Sequence, residues 1–181
     1  ATVYYRISSA KNALLNAQKY AENIDLVADD ESSSRPKIKD IFAKYQDRCF
    51  KSGAMDFDDL LLKMYELITK FPEVLNKLQN RFQYFMIDEF QDTNEAQYKI
   101  VKLLAAKDEN ICVVGDDAQS IYAFRGATIE NILNFERDYP DLKIYKLEQN
   151  YRSSEHIVNA ANQIIKNNQL QLPKQIWTDI K

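Results

Sequence analysis

Apolar positions recur at helical spacing through the first seventy residues, then contract into short runs separated by amphipathic stretches. Residues 3–24 read as one helix, carried by Ala10, Ala13, Leu14, Leu15, Ala17 and Ala21. The stretch Asp29-Asp30-Glu31-Ser32-Ser33-Ser34-Arg35-Pro36 has no periodicity and reads as a polar loop. A second helix over 37–51 stops near Gly53. Residues Phe57–Lys70 form an amphipathic helix with Asp56 as its candidate cap, and Pro72 opens another that runs to about Gln79. Beyond them the pattern predicts a strand over 84–87, a helix over 94–106, a strand over 111–114, a helix over 128–137 and a strand over 142–147. A last helix, capped by Ser153 or Ser154, runs to about Asn167. Strand and helix in alternation predict an α/β layered domain with a parallel sheet, behind a helical first third. Neither an internal repeat nor a low-complexity tract is present.

Composition narrows the class. With 181 residues, 45% apolar and 28% charged, the chain has the profile of a soluble globular protein of about one domain. Its longest apolar run, Ile111-Cys112-Val113-Val114, is far too short to cross a bilayer, and Ala1-Thr2-Val3-Tyr4-Tyr5-Arg6 lacks the basic-then-apolar order of a signal peptide. Cys49 and Cys112 have no metal-ligand spacing and read as buried thiols in a reducing compartment, with the cytoplasm as the expected location. His156, the only histidine, reads as a surface helix residue, and Trp177 as a packing residue. The formal net charge is −3. Residues 1–55 hold nine Lys/Arg against seven Asp/Glu, and the remainder holds fifteen against twenty. This composition argues against a dedicated duplex-binding domain, which is usually basic on one face. Any contact with nucleic acid must come from local constellations.

In parallel α/β sheets ligands sit beyond the carboxyl ends of the strands, so chemistry is expected after Ile87, Val114 and Leu147. Three constellations stand there. In Tyr84-Phe85-Met86-Ile87-Asp88-Glu89-Phe90-Gln91-Asp92-Thr93-Asn94 an apolar strand delivers two adjacent carboxylates. A nucleotide-hydrolysing site needs one acid for Mg²⁺ and another for the attacking water, and Asp88 and Glu89 suit those roles; acids after a strand also serve simply to cap the next helix. In Gly115-Asp116-Asp117-Ala118-Gln119-Ser120-Ile121-Tyr122-Ala123-Phe124-Arg125-Gly126-Ala127, Gln119 is near enough to the strand end to reach a γ-phosphate. Tyr122, Phe124 and Arg125 mix π-faces with a guanidinium, as a single-strand platform does, although aromatics are as often core. In Leu147-Glu148-Gln149-Asn150-Tyr151-Arg152-Ser153, the arginine either stabilises a transferring phosphoryl group or forms an ordinary surface ion pair.

The order of the three closely resembles that of motifs II, III and IV in the UvrD/Rep/PcrA-type superfamily 1 helicases. The likeness extends to Met55-Asp56-Phe57-Asp58-Asp59-Leu60-Leu61, to Asn131-Ile132-Leu133-Asn134-Phe135-Glu136-Arg137-Asp138-Tyr139-Pro140, to Ile176-Trp177-Thr178, and to Ile7-Ser8-Ser9-Ala10-Lys11-Asn12. The resemblance implies that Asp88 holds Mg²⁺, that Glu89 joins it there and activates water, and that Gln119 senses the γ-phosphate of ATP. It implies that Arg152 is an arginine finger and that Tyr151 stacks on adenine. Phe57, Tyr122, Phe124 and Arg125 would contact single-stranded DNA. Two departures stand out: Phe124 replaces a tryptophan, and Asp117-Ala118 replaces an aspartate directly before the glutamine.

The resemblance further implies a partial RecA-like parallel sheet with flanking helices plus a helical insert segment. Residues 1–55 would belong to the insert, 56–147 to the second half of the first motor domain, and 148–181 to the start of the second. The phosphate-binding pattern Gly-x-x-x-x-Gly-Lys-Ser/Thr is missing from the sequence, so the chain alone is expected not to hydrolyse ATP or unwind DNA. The parent polypeptide would be an ATP-driven 3′–5′ DNA helicase acting on single strands and duplex junctions, with no membrane association. An uncovered sheet edge would favour self-association. Two alternatives stay open: a non-catalytic DNA-binding or interaction module, and the helicase part of a helicase–nuclease. Retention of Glu89, Gln119 and Arg152 argues against the first, since such a module needs no water-activating carboxylate.

Overall fold

The computed structural model describes residues 2–123, 126–128, 130–169 and 171–181. The first part is helical. Helix α1 (Thr2–Asn12) ends where Leu14 adopts a left-handed backbone, and Asn16 caps α2 (Ala17–Glu22) by accepting the Lys19 N–H at 2.9 Å. The single helix expected over 3–24 is therefore two. The loop expected over 29–36 is largely helix as well. Asn23 caps α3 (Ile24–Ser32) through the Leu26 N–H, and Asp30 is pulled inside by Arg6 at 2.8 Å and by the Tyr20 hydroxyl at 2.6 Å. Those partners are distant in sequence, so a local reading of an acidic, serine-rich stretch misses them. Helix α4 (Ile38–Lys51) completes a small core of Ile7, Ala10, Ala17, Tyr20, Ile38 and Phe42.

Helix α5 (Phe57–Lys70) starts as expected at Asp56, which accepts the Asp59 N–H at 2.8 Å while Asp59 reaches back to the Asp56 N–H, a reciprocal capping box. Pro72 opens α6 (Pro72–Arg81). Helix α5 packs between α1 and α7 (Glu95–Ala105), with Leu14, Leu62 and Ala96 at the contact. Lys11 is 0% exposed. It bonds Asp56 at 2.7 Å and Asp59 at 2.8 Å, tying α1 to the start of α5. Burial disfavours its charge, but the two carboxylates outweigh that and raise its pKa above the usual lysine value.

Among the described residues the sheet has two parallel strands, β1 (Phe85–Ile87) and β2 (Ile111–Val113), with α7 as the crossover. Phe85 pairs with Ile111 and Ile87 with Val113. Ile87, Ile111 and Val113 face a core of Phe90, Tyr98 and Phe135, while Met86 and Cys112 lie on the outer face. Cys112 is thus exposed and Cys49 half-buried, which corrects the expectation of two buried thiols. The helix expected over 128–137 is broken into α8 (Glu130–Leu133) and α9 (Phe135–Asp138) at Asn134.

No strand forms over 142–147. Ile144, Tyr145 and Leu147 are all exposed, and without a neighbouring strand to satisfy its backbone an apolar run does not become a ladder. Instead the chain makes one parallel bridge, Gln149 to Trp177, beside α10 (Glu155–Ile165). Ser154 occupies the cap position of α10 without a side-chain cap bond, His156 is exposed on that helix, and Trp177 is only partly covered. The chain is α/β in class, with one small parallel sheet and dominant helices. Among the described residues no helix is long and apolar enough to cross a membrane.

Candidate functional site

The carboxyl ends of β1 and β2 carry the first two constellations. Pairing continues past the strands: the Val114 N–H donates to the Ile87 carbonyl at 2.8 Å, and the Phe90 N–H donates to the Val114 carbonyl at 2.9 Å. A regular parallel ladder would use residue 89 for that second bond, so one extra residue is bulged out. The bulge is Asp88-Glu89. Glu89 sits in the left-handed region at φ 50°, a conformation a non-glycine residue adopts at a cost of order 1 kcal/mol or more. Both carboxylates are exposed as a result, and Asp88 Oδ1 accepts the Glu89 N–H at 3.0 Å.

What holds this bulge is Gln91, which is 1% exposed. Its amide nitrogen donates to Glu89 Oε2 at 2.8 Å, and its amide oxygen accepts the Asp116 N–H at 2.9 Å. One buried side chain therefore fixes the Glu89 carboxylate against the loop after β2. Gly115 makes room for it: a Cβ there would lie 2.9 Å from Gln91 Oε1. In the second loop Asp116 caps a short 3-10 turn at Asp117–Gln119 by accepting the Ala118 N–H, and its Oδ2 accepts the Gln119 amide at 2.8 Å.

Glu89, Gln91, Asp92, Ala118, Gln119, Ile121 and Tyr122 line one open groove of about 480 Å³. Asp92 Oδ1 is buried there without a hydrogen-bond partner. An orphaned acceptor in a groove that the exposed Glu89 carboxylate also lines suits a hard cation or a donor-bearing ligand. Among the described residues no cluster of three or more side chains is preassembled as a metal cage. The oxygen set instead fits Mg²⁺, which is held by one or two carboxylates and keeps the rest of its shell for water and phosphate.

Of the other expected site residues Tyr122 lines this groove, while Phe57, Tyr151 and Arg152 are not among its lining residues. Tyr151 and Arg152 are exposed at the start of α10, where Asn150 Oδ1 accepts the Arg152 and Ser153 N–H groups at 2.9 and 2.8 Å. Tyr151 donates its hydroxyl to Gln149, and among the described residues no ion pair involves Arg152. Phe57, first residue of α5, is 90% exposed, so it is no core residue. Tyr122 is partly exposed at the groove. Phe124 and Arg125 lie outside the described residues.

Sequence reasoning passed over three residues. Gln91 has the visible signal of standing two positions after the glutamate. Asn94 caps α7 and donates to Asn12 at 2.8 Å, while Asn12 donates to Asp58 at 2.9 Å, so the helical part is tied directly to the loop after Asp88-Glu89. Lys174 carries no local signal, yet it pairs with Asp116 and Asp117.

Residues 2–140 match the family model of the UvrD/REP helicase N-terminal domain. The ATP-dependent DNA helicase PcrA of Bacillus subtilis is 47% identical over 173 residues, covering 96% of this chain and 23% of that protein. Its namesake in Staphylococcus aureus strain Mu50 is 53% identical over 141 residues, 78% of this chain and 19% of that protein. That of Staphylococcus epidermidis is 49% identical over 172 residues, 95% of this chain and 23% of that protein. The chain thus spans about a fifth of the length of these relatives. On these grounds the chain belongs to the UvrD/REP helicase family.

Proposed function

We propose that the polypeptide carrying this chain is an ATP-dependent DNA helicase that moves 3′ to 5′ along single-stranded DNA and acts at duplex junctions. The observation that carries the reading is the bulged Asp88-Glu89 step, whose Glu89 is held by Gln91 in one groove with Gln119. Bound Mg²⁺–ATP supplies the phosphoanhydride to be cleaved and a cation that offsets phosphoryl charge. Asp88 would hold the cation, with Glu89 beside it. Glu89 orients water and accepts its proton at Oε1, because Oε2 is occupied by Gln91. Gln119 reads the γ-phosphate, and its link to Asp116 passes that state into the loop that continues to Tyr122, Phe124 and Arg125. Arg152 neutralises charge on the transferring group, and Tyr151 stacks on the base. Phe57, whose ring is exposed, would serve with Tyr122 and Phe124 in stacking on bases, with Arg125 for phosphate.

In this reading residues 1–55 are part of a helical insert, 56–147 the second half of one RecA-like motor domain, and 148–181 the start of the next. The protein works in the cytoplasm. The 181 residues alone do not hydrolyse ATP, because their sequence has no glycine-rich phosphate loop. They self-associate through the uncovered sheet. The reading is tested with Glu89→Gln in the full-length polypeptide. DNA-stimulated ATP hydrolysis should fall by about a hundredfold or more, the usual scale for a general base, with nucleotide affinity kept. Retention of more than a tenth of the rate would remove Glu89 from that role.

A further inference from the structure

Lys174 joins two parts of the chain that the sequence keeps far apart. Its ammonium bonds Asp116 Oδ1 at 2.6 Å and also pairs with Asp117, whose side chain is 2% exposed. Asp117 in addition accepts the Leu172 N–H at 2.8 Å, so the backbone of this segment docks on the same turn. On its other side the segment belongs to the unit that carries Tyr151 and Arg152. The Trp177 N–H donates to the Glu148 carbonyl at 2.9 Å, the Asn150 N–H donates to the Trp177 carbonyl at 2.7 Å, and Asn162 donates to the Ile176 carbonyl at 2.7 Å. Lys174 is therefore the ionic link between the Tyr151–Arg152 unit and the loop after β2.

The link leads into the groove. Asp116 uses one oxygen for Lys174 and the other for the Gln119 amide, while its N–H is held by Gln91, which also holds Glu89. Burial works against the Lys174 charge, but the two carboxylates prevail and raise its pKa, while Asp116 is held below its usual value. The contact is thus a full ion pair near neutral pH. Asp116 Oδ1 also accepts the Ala118 N–H at 3.1 Å, so removing the cation takes away the shorter of the two bonds that fix the carboxylate holding the Gln119 amide.

We propose that Lys174 is a positioning residue: its grip on Asp116 and Asp117 latches the Tyr151–Arg152 unit onto the loop and, through Asp116, sets the orientation of Gln119. When the unit swings away the latch opens and Gln119 loses its fixed amide. The inference rests on the reading of Gln119 as the γ-phosphate sensor, and its test separates the two. In the full-length polypeptide, displacement of a fluorescent ADP analogue measures the equilibrium preference for ATPγS over ADP. Lys174→Met should reduce that preference by about tenfold, a common size for coupling between sites, while leaving ADP affinity within about twofold. Lys174→Arg should restore it, which separates a lost ion pair from a damaged fold. In a Gln119→Ala background Lys174→Met should add nothing. If Gln119→Ala abolishes the preference but Lys174→Met leaves it intact, or if the Lys174 effect persists undiminished in the Gln119→Ala background, the latch is overturned and the sensor reading stands. If Gln119→Ala leaves the preference unaltered, the sensor reading falls and takes the coupling with it.

Discussion

Two lysines in this chain each grip a pair of aspartates, and they do so in opposite settings. Lys11 is sealed between α1, α4 and α5, with its side chain 1% exposed and the Tyr45 hydroxyl donating to the same Asp56 oxygen at 2.7 Å. Lys174 closes over Asp116 and Asp117 with a fifth of its side chain in solvent. In the first pairing the lysine and Asp59 are closed off from water and only Asp56 keeps an exposed edge, so it behaves as a pin of the helical region. The second sits at the junction between the groove loop and the segment that follows α10, where water reaches Lys174 and Asp116 while Asp117 stays buried. A buried ion pair is costly to break because the orphaned charge stays desolvated, whereas a half-exposed one is rehydrated as it opens. The same lysine-and-two-aspartate set therefore makes a fixture in one region and a more solvated contact in the other.

The largest expected effect breaks the pin. Lys11→Met should destabilise the full-length protein by about 4 kcal/mol, because Asp59 remains buried without its counter-charge. Lys174→Met should cost less, about 2 kcal/mol, since Asp116 regains water and the buried Asp117 keeps the Leu172 N–H as a donor. Urea unfolding combined with hydrogen exchange of α1 and α5 distinguishes them, and equal losses would erase the contrast.

A smaller effect probes the frame between the two. Gly115→Ala drives a methyl group to within 2.9 Å of Gln91 Oε1 and 3.0 Å of Ile132, so Gln91 must shift. A stability loss of about 1–3 kcal/mol is expected, as for other overpacked sites, with hydrolysis falling further than nucleotide affinity. Full activity would mean that Gln91 does not fix Glu89.

The smallest effect sharpens the comparison by salt and acid. Asp56 and Asp116 both have lowered pKa values; burial opposes the charge in each case, but the paired lysine outweighs it. A depressed carboxylate contributes stability above its unfolded pKa and loses it as pH falls through the folded value. Both contacts should therefore hold at neutral pH and weaken below the ordinary carboxylate range. Near neutral pH, 1 M salt should increase exchange at Leu172 by severalfold while the N–H groups of α1 stay protected, because screening reaches only the solvent-facing pair.

Much of this was legible from residue order. The start of α5 at Asp56, β1, α7 with β2, and the emergence of Asp88-Glu89 at a strand end all follow from short-range patterns, since caps, alternation and strand ends are decided by neighbours within a few positions. The misreadings share one cause. Asp29 and Asp30 became helical because Arg6, more than twenty residues away, neutralises them. The apolar run over 142–147 stayed out of the sheet because a strand exists only where a partner backbone is offered. Cys112 is exposed because it alternates onto the uncovered face of β2.

The sequence by itself determined the family and the α/β class, and it supplied the candidate acids, amide and aromatics of the proposed site, because these are written in contiguous motifs. Only the tertiary structure decided how they are held: the bulge that puts Glu89 in a left-handed conformation, the buried amide of Gln91 that fixes it, and the reach of Lys174 back to Asp116. Each of those contacts closes over a distance in sequence that no local pattern encodes, and each is set by which groups packing leaves dry enough to need a partner.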